Sequence, residues 1–428
     1  MLPSSQPRMS SPLRILYAAG PGDVIGTYRH WKEGREDPSQ VAITYSGQFY
    51  SLCRESDIEG YVISYCPRKE KLTDGPFRIE HRPLRFGKGP GALYHLGQIW
   101  YGLRLTLTAV RYRADVAVVS AGAHWFSLAL MPWMGVKVVP TLHCVLWQKG
   151  RPPRNRIGRI IRGLNGRFFR RSVAGVLSLS NDITEQLREL LGGKSKIVVP
   201  FLPTYRRESF EGIESPPTAP PFRVFFAGRI ERNKGVFDLL DIAKRFAAEG
   251  RTDIMFDLCG EGTALLELRR QVEKAGLGAR FRCHGHAQKT QMREMYSRAH
   301  VVIAPTTTDF IEGFNKVVAE GVLAGRPVIT SSVCPALEYV REAVVKVPPN
   351  DAAAYGDAIL RLYQDHALYE AKQQGCVLAQ APFYDAGRGW KSALEQIIRL
   401  IGLLPAEADV TLPSAGNAAS AAAPLRQS

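Results

Sequence analysis

The chain has 428 residues, of which 45% are hydrophobic and 22% charged. This is the composition of a folded protein, so it excludes wholesale disorder, collagen and a coiled coil, and the length predicts two or three domains. The formal net charge of +16 is unevenly spread: residues 1–204 hold 29 Lys and Arg against 14 Asp and Glu, whereas residues 205–428 hold 27 against 26. The first half is therefore strongly basic and the second is close to neutral.

The cysteines and the N-terminal residues indicate the cellular compartment in which the protein is expected. The seven cysteines are scattered and form no CxxC pair, which favours reduced thiols in a reducing compartment. Residues 1–12 lack the apolar core of a signal peptide. Residues 117–136 contain no Lys, Arg, Asp or Glu and are about as long as a spanning helix. Because Pro132 and several polar or glycine residues interrupt this stretch, we expect a strand, a short helix and a second strand, in a cytoplasmic protein.

Short apolar runs alternate with helical segments through the first half of the chain. The runs are rich in Val, Ile and Ala, which predicts strands covered on both faces; they lie at 13–19, 40–45, 61–65, 115–120, 137–141, 175–180 and 196–200. Residues 92–111 and 154–171 have helical spacing. Strands alternating with helices predict a parallel α/β sheet, here in an N-terminal domain over residues 1–204.

The same alternation restarts after a Pro-rich linker at 205–221 and predicts a second α/β domain over 222–386. Its predicted strands and helices lie at 223–227, 236–249, 254–259, 263–275, 280–284, 289–298, 301–304, 316–324, 327–330 and 343–347. A C-terminal helix over 387–404 and a disordered tail over 405–428 follow. Two doubly wound domains place a cleft between them, and ligands bind beyond the carboxyl ends of such strands.

The most informative stretch covers residues 312–329. Glu312 and Glu320 are separated by seven residues, the first at the predicted start of a helix and the second within it. A strand at 301–304 leads into the loop before Glu312, which places this carboxylate at a strand's carboxyl end, where ligands bind. Taken alone, the pair has another interpretation: Glu312 caps the helix, in the positive end of its dipole, and Glu320 is a solvated position.

These residues resemble family 4 of the retaining glycosyltransferases, which have the GT-B fold of two Rossmann-like domains facing a cleft. The family's E-x7-E motif is matched, and it is followed by Ala324, Gly325, Pro327 and Val328. Three further stretches match in order: 138–143, 226–235 and 258–262. The resemblance implies transfer of a sugar from a nucleoside-diphosphate sugar to a lipid-linked or saccharide acceptor in polysaccharide or glycolipid biosynthesis, with no other cofactor.

Two cations fit this chemistry on physical grounds. A sugar-transfer site must stabilise the negative charge that grows on the departing diphosphate. Arg229 and Lys234 flank a glycine-rich turn after the first strand of the second domain and can supply two cations without a metal. Two surface charges on a loop are the alternative.

The resemblance also implies roles for individual side chains. Glu312 would contact the donor sugar ring, Glu320 the ribose hydroxyls, and His143 the sugar near its reacting carbon, although a structural histidine is the commoner fate of a lone His. Other candidates for substrate binding are Gly22, Gly228, Gly260, Gly262, Phe314 and Asn315. At position 315 the family commonly has a small residue and at Gly321 an alanine, so these departures put the identity of the sugar in doubt.

Cys283 and His286 resemble a metal cluster, but their spacing fits a strand followed by a turn. No second Cys or His set accompanies them, and no Asp-x-Asp is present to hold a divalent ion on a diphosphate. We therefore expect no metal site. A sugar-nucleotide epimerase or a phosphorylase on the same fold, and a non-catalytic membrane- or polymer-binding module, are the competing functions.

Residues 151–171 carry eight arginines and no acidic residue. Their apolar residues recur on one helical face: Ile157, Ile160, Ile161, Leu164 and Phe168. A basic amphipathic helix of this kind predicts peripheral contact with an anionic membrane, on its inner face. The alternative is a helix packed on its own sheet with solvated arginines. The absence of an aromatic stacking platform argues against nucleic acid.

Overall fold

The computed structural model describes residues 12–83, 91–217 and 219–405. In the N-terminal half the strands are β1 (Arg14–Pro21), β2 (Glu59–Tyr65), β3 (Lys71–Asp74), β4 (Phe77–His81), β5 (Val116–Val119), β6 (Lys137–Leu142), β7 (Val176–Ser178) and β8 (Val198–Pro200). The helices are α1 (Val24–Lys32), α2 (Tyr45–Glu55), α3 (Ala92–Tyr112), α4 (Arg156–Arg171) and α5 (Asn181–Leu191). Short 3₁₀ turns at Trp125–Leu128 and Pro132–Met134 connect β5 to β6.

In the C-terminal half the strands are β9 (Phe222–Ala227), β10 (Ile254–Cys259), β11 (Phe281–Gly285), β12 (Val301–Ala304), β13 (Val328–Ser331) and β14 (Val344–Val347). The helices are α6 (Val236–Ala248), α7 (Leu265–Lys274), α8 (Lys289–Arg298), α9 (Lys316–Leu323), α10 (Ala352–Gln364), α11 (His366–Ala379), α12 (Ala381–Tyr384) and α13 (Trp390–Leu400).

The strands form two sheets. The first has the order β3-β4-β2-β1-β5-β6-β7-β8, and its strands are parallel except for the β3–β4 hairpin. The second has the order β11-β10-β9-β12-β13-β14 and is parallel throughout. In both sheets the direction of winding reverses beside the first strand of the domain, β1 or β9, and such reversal points are where doubly wound sheets bind ligands. The prediction of two doubly wound parallel α/β domains is confirmed.

The predicted strand at 40–45 is wrong. Thr44 instead caps α2, and its hydroxyl accepts a hydrogen bond from the Gly47 N–H at 3.1 Å. The preceding residues line the cleft between the domains. Their apolar character comes from that position and not from membership of the sheet. The β3–β4 hairpin and helices α10 to α12 were not predicted. Residues 117–136 contain the end of β5 and two 3₁₀ turns, and the predicted second strand, β6, begins directly after them at Lys137. No helix within the described ranges is long and apolar enough to cross a membrane.

Helix α13 returns to the N-terminal sheet. The Trp390 ring lies 5.0 Å from that of Tyr17, and its indole N–H donates to the Thr141 hydroxyl at 2.9 Å. The two chain segments that cross between the domains run side by side, because the N–H of Leu202 donates to the carbonyl of Arg388 at 2.8 Å. The domains are therefore joined by a double connection. The predicted tail at 405–428 lies outside the described residues apart from Pro405.

Candidate active site

A cavity of about 650 Å³ lies between the domains. Its N-terminal wall consists of residues 39–42, Tyr45, His143, Cys144 and Leu179. Its C-terminal wall consists mainly of the loops that follow β9, β10 and β12, together with the first turn of α9. The cavity brings together nine of the predicted site residues: His143, Gly228, Arg229, Lys234, Gly260, Glu312, Phe314, Asn315 and Glu320. Gly22 and Gly262 are not among the residues that line it.

Arg229 and Lys234 meet at one aromatic ring in this cavity. The Lys234 Nζ lies 4.1 Å from the centroid of Phe310, and the Arg229 Cζ lies 5.2 Å from the same centroid. A cation over a ring face is attracted by the ring quadrupole, so Phe310 can hold both charges despite their mutual repulsion. Sequence reasoning missed Phe310, because an aromatic residue in a loop carries no signal without the fold.

The Lys234 ammonium also donates to Glu312 Oε2 at 2.5 Å, and both side chains are largely buried. The Thr306 hydroxyl donates to the same carboxylate oxygen at 3.3 Å. Helix α9 begins at Lys316 after Asn315, which has a left-handed backbone with φ +64°. Glu312 therefore lies in the loop before the helix and does not cap it, and its carboxylate contacts Lys234 and Thr306 instead.

The glycines of the two C-terminal loops fix the position of the cation loop. A Cβ on Gly260 would lie 1.8 Å from the carbonyl oxygen of Gly228, and one on Gly262 would lie 2.2 Å from that of Ile230. Both glycines thus allow the loop after β10 to pack directly on the loop that carries Arg229. Gly262 supports the site from behind, which explains its absence from the cavity wall.

Glu320 is buried and is held by two tyrosines. It accepts a hydrogen bond from the Tyr296 hydroxyl at 2.9 Å and a longer one from the Tyr205 hydroxyl at 3.5 Å. Burial raises the pKa of Glu320, and these hydrogen bonds and the nearby Lys316 oppose that rise. Glu320 is also one of the residues that line the cavity, and the two tyrosines hold its carboxylate in a fixed orientation.

Lys316 is a third cation of the cleft that sequence reasoning did not identify. Its ammonium donates to Gln40 Oε1 at 3.2 Å and lies 5.1 Å from the ring centroid of Tyr45, both across the cleft. Burial lowers the pKa of Lys316. A lysine in the first turn of a helix opposes the helix dipole, and that mismatch was the available signal for a special role.

His143 is packed among aromatic rings. Its ring centroid lies 4.5 Å from that of Tyr45, and its Nε2 lies 3.1 Å from the Thr141 hydroxyl oxygen. Burial, and secondarily the Lys316 charge, lower the pKa of His143 to about 3. The ring is therefore neutral near pH 7 and cannot act there as a cationic acid. Its contact with a donor sugar stays a prediction.

Gly22 lies in the first turn of the N-terminal domain, after β1. It has φ +146°, and no atom lies within 4 Å of the place where a Cβ would be. Its carbonyl accepts a hydrogen bond from the Ser64 hydroxyl at 2.8 Å. The adjacent Asp23 caps α1 through the Gly26 N–H at 2.7 Å. An acceptor contact at Gly22 stays a prediction.

We expect acid to destabilise the fold through His143. Its pKa is about 3 in the folded chain and about 6.5 when unfolded, so the unfolded state binds more protons between these values and stability falls as pH drops below about 6.5. A single group of this kind changes the free energy of unfolding by at most about 1.4 kcal/mol per pH unit. Melting temperatures between about pH 7 and about pH 5 should fall less steeply for His143→Asn than for wild type. The exposed His366→Asn is the matched control, and equal slopes for all three proteins would contradict the assignment.

The two sheets, their strand orders and the cleft between them define a GT-B protein. Consistent with this, HepE from Anabaena, solved in complex with UDP, superimposes with a TM-score of 0.63 at 15% sequence identity, over 92% of this chain and 100% of that one. The family model described as "Glycosyl transferases group 1" matches residues 211–374. That range is less than half of the chain, and it contains Arg229, Lys234, Glu312 and Glu320. The C-terminal domain is therefore the part of the chain that is similar to this family. The fold implied by the resemblance noted from the sequence is confirmed, and the family match over the C-terminal domain supports that resemblance.

Two curated relatives place the similarity in context. The chain is 27% identical to a D-inositol 3-phosphate glycosyltransferase of Xylanimonas cellulosilytica over 40% of its own length and 39% of that protein. It is 25% identical to a glycogen synthase of Mycobacterium tuberculosis over 58% of its own length and 59% of that protein. The chain thus matches less than two thirds of the length of either relative.

Proposed function

We propose that the chain is a retaining glycosyltransferase that moves a sugar from a nucleoside-diphosphate sugar, bound on the C-terminal domain, to an acceptor bound against the basic N-terminal domain. The observation that carries the proposal is the convergence of Arg229 and Lys234 on Phe310 in the cavity wall, with Glu312 beside them. Two fixed cations are what a departing diphosphate requires. The named activities of the relatives and the UDP bound to HepE support a nucleotide-sugar donor.

In the proposed step, the bond between the sugar C1 and the diphosphate oxygen breaks, and its electron pair stays with the diphosphate. The Arg229 guanidinium and the Lys234 ammonium stabilise that charge. An acceptor hydroxyl attacks C1 on the face from which the diphosphate leaves, and its proton passes to the departing phosphate oxygen, so the configuration is retained. The diphosphate competes with Glu312 for Lys234, and the released carboxylate can then accept a hydrogen bond from a sugar hydroxyl.

The rest of the cavity fits the other parts of the donor. Glu320 lines the cavity as a buried acceptor suited to ribose hydroxyls, and Gly260, on the same cavity wall, would let the backbone approach the nucleotide. Neutral His143 lies on the opposite wall, where it can contact the sugar without protonating it. Metal independence belongs to the proposal, because the two cations occupy the role of a divalent ion, and no cofactor besides the donor is invoked.

The acceptor is proposed to be a saccharide or a lipid-linked molecule used in polysaccharide or glycolipid biosynthesis. Peripheral contact with an anionic membrane through residues 151–171, at the cytoplasmic face, is part of the same proposal. It is supported by exposed arginines of α4, such as Arg156 and Arg159. A lipid-linked acceptor would be confined to that membrane surface.

A donor screen tests the proposal. We expect one group among uridine-, guanosine- and adenosine-diphosphate sugars to raise the melting temperature, because a ligand that binds only the native state stabilises it. With an acceptor present, that donor should release free nucleoside diphosphate at a rate that EDTA leaves unchanged. Epimerised donor without release would indicate an epimerase. Sugar phosphate formed from inorganic phosphate would indicate a phosphorylase, and donor binding without turnover on any acceptor would indicate a binding module.

A further inference from the structure

Nearly all of the excess positive charge of the chain lies in one continuous segment. Residues 81–181 hold 16 Lys and Arg and a single acidic residue, Asp115, which gives +15 of the net charge of +16. Asp115 directly precedes β5 and accepts a hydrogen bond from the backbone N–H of Arg14 at 2.8 Å. The basic character of the N-terminal half therefore comes from the part of the domain that contains α3 and α4.

Helices α3 and α4 lie on the same face of the N-terminal sheet. The connections β4→β5, β5→β6 and β6→β7 all proceed in one direction along the sheet, and right-handed crossovers then place their connecting segments on one side. The 3₁₀ turn Trp125–Leu128 packs between the two helices. A Cβ on Gly102 of α3 would lie 1.9 Å from the Ser127 hydroxyl oxygen, and the Phe126 N–H donates to Asn165 of α4 at 3.2 Å.

The outward side of this layer is apolar. Of the 17 large hydrophobic side chains that are exposed in the described part of the chain, 12 lie on α3, on the loop 129–135 or on α4. On α3 they recur every three or four residues, opposite the buried Tyr101 and Leu105, and form one stripe: Leu93, Leu96, Trp100, Leu103 and Leu107. The loop contributes Trp133, which is 90% exposed, and α4 contributes Ile157, Ile160 and Leu164.

Helix α4, within the basic stretch 151–171, packs on its own sheet only in part. Phe168 and Phe169, near its C-terminal end, are buried against the domain, whereas Ile160 is 62% exposed. Arg156 and Arg159 are exposed on the same turns. Monomeric proteins rarely expose contiguous apolar surface of this extent unless it binds a partner.

We propose that the exposed faces of α3, the loop 129–135 and α4, here called the α3–α4 surface, form a single docking site for an anionic lipid bilayer. Apolar side chains would enter the headgroup region while arginines extend to the phosphates, and an exposed tryptophan such as Trp133 is suited to that boundary. A second copy of the chain is disfavoured because two such basic faces would repel each other. Nucleic acid is also disfavoured, because proteins bind it through cations and aromatic stacking and not through a stripe of leucines and isoleucines.

The position of the α3–α4 surface also relates the bilayer to the cleft. Helix α3 follows β4, so it begins at the sheet edge where the strands reach their carboxyl ends, which is the edge that faces the cavity. Just before α4, Gln148 donates to the carbonyl of Asp309 in the other domain at 2.6 Å, and the neighbouring Trp147 lies 4.8 Å below Arg162 of α4. If the proposed function holds, an acceptor whose lipid stays in the bilayer can present its hydroxyl to the cleft from this end.

Vesicle sedimentation tests the proposal with the full chain. We expect binding to vesicles of phosphatidylcholine and phosphatidylglycerol, and little binding to phosphatidylcholine alone. Raising the salt from about 0.1 M to about 1 M shortens the screening length about threefold and should weaken the binding. Co-sedimentation that is equal on neutral and anionic vesicles at both salt concentrations would overturn the electrostatic part of the proposal.

Matched variants locate the surface. Trp133→Ser with Ile160→Ser should weaken vesicle binding at least about tenfold. Leu266→Ser with Leu378→Ser, which are also exposed but belong to the other domain, should leave vesicle binding unchanged. Arg156→Gln with Arg159→Gln should weaken vesicle binding about fivefold for each arginine replaced. The control, Arg270→Gln with Lys274→Gln on α7, should leave vesicle binding unchanged. Vesicle binding that survives both α3–α4 variants would overturn the assignment.

Two further outcomes would also overturn it: a dimer that Trp133→Ser abolishes, or binding of RNA or DNA in preference to anionic vesicles. The thermal shift produced by a nucleoside diphosphate in lipid-free buffer separates this proposal from the proposed function. That shift should be the same in wild type and in all four variants. A variant that loses vesicle binding but keeps the thermal shift has lost only the docking surface. A wild-type protein that shows no thermal shift would contradict the proposed donor site and leave the docking proposal unaffected.

Discussion

Replacement of Arg229 or Lys234 by alanine is expected to lower turnover by about 10²–10³-fold while the fold persists. Each removes a charge aimed at the departing diphosphate, where its effect is larger in the transition state than in the ground state. The reduction should appear mainly in kcat, measured as nucleoside diphosphate released in the presence of acceptor. Melting temperature should change little for Arg229→Ala.

The control for these variants is Arg232→Ala. This arginine belongs to the same loop but lies outside the cavity, with Glu267 as its ion-pair partner and Phe237 under its guanidinium. Its removal should leave turnover within about twofold of wild type, since exposed ion pairs contribute little. Wild-type rates for both cavity variants, or an equal loss for Arg232→Ala, would contradict the role given to the two cations.

Gly313→Ala is expected to abolish most activity by preventing the domains from closing. A Cβ at this position would lie 1.8 Å from the carbonyl oxygen of His143, which belongs to the opposite domain. The clash is between the two domains and not within either one, so each domain should fold normally. Because a displacement of about 1 Å at a reacting centre can cost about 10²-fold in rate, we expect a loss of that order in kcat, with donor binding on the C-terminal domain largely kept.

Gly278→Ala is the matched substitution for this test. Nothing lies within 4 Å of the place where its Cβ would be, so activity should be unchanged. Small-angle scattering with saturating donor should show a more open particle for Gly313→Ala than for wild type. Full activity in Gly313→Ala would mean that the closed contact between Gly313 and His143 is not part of the working state.

The sequence predicted the parts of the structure that rest on local pattern. Buried strands read as short apolar runs, and the strict alternation with helices led to two doubly wound sheets. The prediction that Glu320 lies within a helix is confirmed, whereas Glu312, predicted at the start of that helix, lies in the loop before it. The strand predicted at 40–45 failed because the walls of a cleft and the interior of a sheet select similar apolar residues.

What the sequence could not show depends on long-range contacts. Phe310 and Lys316 acquire their significance only when the loop after β12 and the first turn of α9 meet Lys234 and Tyr45 in space. The departure at Gly321 has a similar explanation: a Cβ there would lie 2.9 Å from a methyl group of Val302, so this chain fills with valine the space that an alanine would need. Such compensation between distant positions leaves no trace in a local motif.

The central claim, that two cations of the cleft bind the second phosphate of a nucleotide donor, is tested most directly by comparing a nucleoside diphosphate with the corresponding monophosphate by calorimetry. Wild type should bind the diphosphate at least about tenfold more tightly, which corresponds to about 1.4 kcal/mol. The doubly substituted Arg229→Ala, Lys234→Ala protein should bind both nucleotides equally. A diphosphate preference that survives in the double variant, or that is absent from wild type, would contradict the account.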